Sequence, residues 1–139
     1  MVERLKILAI IQAVSSFAIL AVPKIFPVCD MLNAQGQPMK CVHTYQVVFI
    51  VGVAAFLLTL GIFFIRTALW KKIVEILILV LAIVLYVIPT KWGLGICMHG
   101  TSPCHQTALW TSILSFVLFL SAVFVLFFLN KKRRENLDE

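Results

Sequence analysis

Four long apolar runs, separated by short polar stretches, constrain this chain more than any other feature. They cover residues 5–22, 45–65, 73–88 and 109–129. A helix needs about 20 mostly apolar residues to cross roughly 30 Å of hydrocarbon. Of the 139 residues, 62% are apolar and only 13% are charged, against about 25% charged in an ordinary soluble domain. That is too little charge to cover a water-facing surface, so the natural solvent of this chain is lipid. Lipid offers nothing to unpaired backbone groups, so each run must be helical. The expectation is an all-α integral membrane fold, one four-helix domain over residues 1–139. It consists of two tandem helical hairpins, with loops 23–44 and 89–108 on one side. The first run is the most polar, and its Gln12, Ser15 and Ser16 are expected to face other helices, where amides and hydroxyls find partners.

The net charge of +6 does not point to nucleic acid. The basic residues cap apolar runs instead of interleaving with aromatics on a polar face. Their distribution predicts orientation. Arg4, Lys6, Arg66, Lys71, Lys72, Lys131, Lys132, Arg133 and Arg134 fall on one side of the four runs, and only Lys24, Lys40 and Lys91 on the other. Nine against three places both termini in the cytoplasm. Trp70 is expected to mark the inner interface, and Tyr45, Tyr86, Trp92 and Trp110 the outer one. The run Lys131 to Arg134 reads as an anchor beside anionic lipid. Glu75 is the one acid near a span. It is expected in the first turn of the third helix, at the interface, stabilised by the helix dipole and by Lys71 or Lys72.

All four cysteines fall in the outer loops, Cys29 and Cys41 in the first and Cys97 and Cys104 in the second. Each exit cysteine is followed within two residues by a histidine, His43 or His105, and then by a threonine. The punctuation suggests a duplicated two-helix unit in parallel orientation. Three chemistries fit these thiols. Structural disulfides suit an oxidising exterior, either within loops (Cys29 with Cys41, Cys97 with Cys104) or across the halves. Copper or zinc binding would draw on Cys29, Cys41, His43, Met98, His99, Cys104 and His105, since thiolate, thioether and imidazole select those metals. Thiol–disulfide exchange is the third, although no CxxC pair with a lowered thiol pKa is present. Disulfides are the expected role, with no cofactor and no catalytic residue.

The elements Ile25-Phe26-Pro27-Val28-Cys29, Met39-Lys40-Cys41, Ile88-Pro89-Thr90, Gly95-Ile96-Cys97 and the final Cys104 occur here in that order. In this the chain resembles a bacterial family of small four-helix membrane proteins of unassigned function, domain-of-unknown-function family 4418. Two local departures stand out: Val42 separates Cys41 from His43, and Ser102-Pro103 precede Cys104. The resemblance implies location in the bacterial cytoplasmic membrane. It also implies genes beside those of MacB-like ABC transporters, and hence a non-enzymatic accessory subunit with an ABC transporter permease as partner. No GxxxxGK[ST] loop is present.

Overall fold

The computed structural model describes residues 2–26, 35–37, 40–90, 92–93 and 103–137. These form four helices: α1 (Val2–Ile25), α2 (Lys40–Phe64), α3 (Ala68–Val87) and α4 (Pro103–Glu135). No strand occurs among the described residues. Three of the helices, α1, α2 and α4, are long and apolar enough to cross a membrane. The shorter α3 carries Lys71, Lys72 and Glu75 in its first two turns, so its uncharged stretch from Ile76 to Val87 is about 18 Å long.

Every helix extends beyond its apolar run, because a helix needs hydrogen bonds and not apolarity to continue. α1 runs through Pro23 into its last turn, and the amide of Phe26 still donates to the Val22 carbonyl at 3.0 Å. A proline so near the end removes one bond without ending the helix. α2 begins about a turn before its apolar run, which takes Cys41, His43 and Thr44 out of the loop and into the helix. α3 likewise starts early, after Thr67, whose extended backbone (φ −81°, ψ 133°) marks the helix entry. Pro103 opens α4, a position where the missing N–H would have had no helical partner. The basic run Lys131 to Arg134 is helical as well. After α3, Ile88 to Gly93 turn tightly: Thr90 N–H donates to the Val87 carbonyl and Gly93 N–H to the Thr90 carbonyl, both at 3.0 Å. A Cβ at Gly93 would lie 2.5 Å from the Val87 carbonyl oxygen, so only glycine fits.

Buried positions recur at intervals of three and four on each helix: Ala9, Gln12, Ser16, Ile19 on α1; Cys41, Tyr45, Val48, Gly52, Ala55, Thr59, Ile62 on α2; Val74, Ile78, Ala82, Leu85 on α3; Thr111, Ser115, Leu118, Ala122, Val125 on α4. That spacing gives each helix one inward seam, as in antiparallel bundles. α1 packs on α2 and α4, and α3 on α2 and α4. The helices therefore form a ring in chain order, with α1 across from α3 and α2 across from α4. Gly52 allows close approach: a Cβ there would meet Leu20 Cδ2 at 3.1 Å. Gly61, also a candidate packing residue, faces open space. Outside the seams, large side chains such as Ile7, Phe17, Ile50, Leu57, Phe116 and Phe127 are exposed, as a lipid-facing surface requires.

Candidate functional site

Among the described residues, ten of the buried side chains are polar or charged, and most of them are satisfied within their own helix. The hydroxyls of Ser16, Thr44, Thr59, Thr111 and Ser115 each donate to the carbonyl four residues earlier, at 2.7–3.0 Å. Ser121 donates to the Leu118 carbonyl, three residues earlier. This back-bonding lets a hydroxyl sit in an apolar bundle without a partner helix.

Two bonds instead cross the ring. Gln12 Nε2 on α1 donates to Glu75 Oε2 on α3 at 3.0 Å. Both residues are buried, at 0% and 1% exposure. The Gln12 carbonyl oxygen, Oε1, is also buried and has no donor. On the other diagonal, the Tyr45 hydroxyl on α2 donates to the Cys104 carbonyl at the start of α4, at 3.0 Å. Close to it, the Thr107 hydroxyl reaches the Phe26 carbonyl at 3.4 Å, tying α4 to the end of α1.

These observations correct two expectations. Glu75 is not in the first turn of its helix, because α3 starts at Ala68, and its carboxylate is buried against Gln12. Tyr45 is not an interface marker: at 4% exposure it points inward, because the seam of α2 begins at Cys41. Trp70, Tyr86, Trp92 and Trp110 are exposed.

The two ends of the bundle differ in chemistry. At one end, Cys41 and Cys104 are fully buried at the starts of α2 and α4. His43 is exposed on α2, while His105 is partly buried, with its Nε2 enclosed and unpartnered. Among the described residues no three His, Cys, Asp or Glu side chains group as a metal site. Cys29, Cys97, Met98 and His99 lie outside the described residues.

At the other end, a cavity of about 660 Å³ opens among the termini of all four helices. Lys6, Arg66, Lys71, Lys72, Lys132 and Arg133 line it, with Leu5, Ala9, Phe63 and Leu129 among its apolar walls. Glu75 contributes to its lining as well. Lys72 also donates to Asn130 Oδ1, joining α3 to α4 there. Sequence reasoning found the basic residues but not the cavity, and it found Glu75 without its partner. No signal along one helix tells which residue will lie across a diagonal.

The model of one family, described as a domain of unknown function (DUF4418), matches residues 10–129. The chain belongs to the DUF4418 family. The matched span begins within α1 and ends near the last apolar residues of α4, so it takes in both cross-bundle bonds and three of the six basic residues that line the cavity, Arg66, Lys71 and Lys72. The basic turn from Lys131 and the first residues of α1 lie outside it. No curated protein and no solved structure matches this DUF4418 chain.

Proposed function

We propose that this DUF4418 protein is a non-enzymatic accessory subunit of a larger membrane complex, of the MacB-like ABC transporter kind. In this reading all four helices cross the membrane, the basic end faces the cytoplasm and the cysteine-bearing loops face outward. The observation that carries the proposal is the closed interior. Gln12 and Glu75 bond across the ring, and most of the buried hydroxyls are turned onto their own helix, while apolar side chains cover the outside. A bundle filled in this way supplies surface for contact and not a polar route for a solute. The nine basic residues on one side support the orientation. Cys41 and Cys104, both fully buried at the starts of α2 and α4, support a structural role for the cysteines of the outer loops.

A second reading, an extracytoplasmic copper or zinc protein, is favoured by the enclosed, unpartnered His105 Nε2 beside Cys104. One preparation separates the two. Affinity purification in mild detergent, with mass spectrometry and elemental analysis, is expected to recover an ABC permease in stoichiometric amount and no stoichiometric metal. A chain that purifies alone, carrying one copper or zinc per molecule, overturns the first reading in favour of the second.

A further inference from the structure

The cavity at the basic end combines two surfaces seldom found together. Its mouth carries cationic side chains from every helix: Lys6 from α1, Lys71 and Lys72 from α3, Lys132 and Arg133 from α4, and Arg66 just after α2. Deeper in, the walls are aliphatic and aromatic, with Leu5, Ala9, Ile62, Phe63, Val125 and Leu129. One carboxyl group, Glu75, also lines this cavity; it is 1% exposed and accepts the Gln12 amide N–H, and six cationic side chains outnumber it. A volume of about 660 Å³ lies in the range that holds a drug-sized molecule.

An occupant must complement both surfaces, with an anionic head at the mouth and an apolar body along the walls. A free anion would satisfy the lysines and arginines but leave the apolar walls wet. A neutral lipid would cover the walls but leave the cations uncompensated. We infer that the cavity is a binding site for one anionic phospholipid, its phosphodiester held by Arg66, Arg133 and the neighbouring lysines and its upper acyl chains lying against Phe63 and Leu129. Guanidinium groups suit this task because they bind phosphate oxygens in pairs. Basic pockets between membrane helices recognise lipid head groups by this chemistry. The site differs from a diffuse basic surface in having a concave, largely apolar lining, and it does not depend on the identity of any protein partner.

The test is native mass spectrometry of the full chain, exchanged into detergent with added phosphatidylglycerol, phosphatidylcholine or inorganic phosphate. One phosphatidylglycerol is expected to remain bound per chain, with phosphatidylcholine retained at least tenfold less and inorganic phosphate failing to displace the lipid. The double variant Arg66→Gln/Arg133→Gln is expected to weaken retention roughly tenfold or more. The variant Arg4→Gln/Arg134→Gln removes the same charge from residues that do not line the cavity, and is expected to change retention by less than about twofold. Equal losses in the two variants overturn the proposal in favour of a diffuse surface field. Displacement by inorganic phosphate, or equal retention of both lipids, also overturns it. The lipid comparison on the unmodified chain decides the question even if a variant does not fold.

Discussion

The two ends of this bundle use polar residues in opposite ways. At the cysteine end, Cys41, Thr44, Tyr45, Cys104 and Thr107 are at most 4% exposed. Two side-chain bonds to backbone carbonyls, from Tyr45 and from Thr107, tie helices that are distant in sequence. At the basic end the polar residues are charged and line a cavity, and the helices are tied further in by Gln12 and Glu75. Small uncharged groups can be packed into an apolar interior at low cost, whereas a lysine or arginine must keep its head group wet. The chain therefore closes one end with hydroxyls and leaves the other open around cations.

Replacing Glu75 should test this contrast most severely. Glu75→Ala leaves both polar atoms of Gln12 buried without partners and is expected to destabilise the bundle by about 1–3 kcal/mol, read from unfolding in detergent. The double variant Gln12→Leu/Glu75→Leu should recover most of that loss, because removing both partners leaves nothing unsatisfied. If the single and double variants are equally unstable, the pair is not a unit. Tyr45→Phe is the matching change at the other end. It deletes one bond to a carbonyl and is expected to cost about 0.6 kcal/mol, the average for hydrogen bonds between membrane helices. A loss as large as that of Glu75→Ala would show that the cysteine end carries the greater share of the stability. The smallest effect is expected at His43, exposed on α2. His43→Ala should stay within about 0.5 kcal/mol, and a larger loss in protein from its native envelope, accompanied by loss of metal, would assign the histidine to a ligand set.

What the sequence made legible was decided by solvent, and what it hid was decided by geometry. The apolar runs announce helices because lipid permits little else. Gln12, Ser15 and Ser16 were readable as inward-facing for the same reason, and all three are buried. The helix ends were harder to read, since Pro23 and Lys71 look like boundaries while the helix continues through them, and α2 starts at Lys40, about a turn before its apolar run. Tyr45 was misplaced through that error alone: once α2 starts at Lys40, Tyr45 falls on the same seam as Cys41, Val48 and Gly52. Glu75 was misplaced for the same reason at the start of α3. Its pairing with Gln12 lies 63 residues away in sequence, and it depends on which helices stand across the ring.

The length of α4 has a mechanical consequence. Thirty-three residues at 1.5 Å each make a rod of about 50 Å, some 20 Å longer than the hydrocarbon thickness of a typical bilayer. The excess must be taken up by leaning in the bilayer or by standing clear of it. Because Lys131 to Arg134 continue the same helix, the basic tip and Cys104 stand at opposite ends of one continuous element.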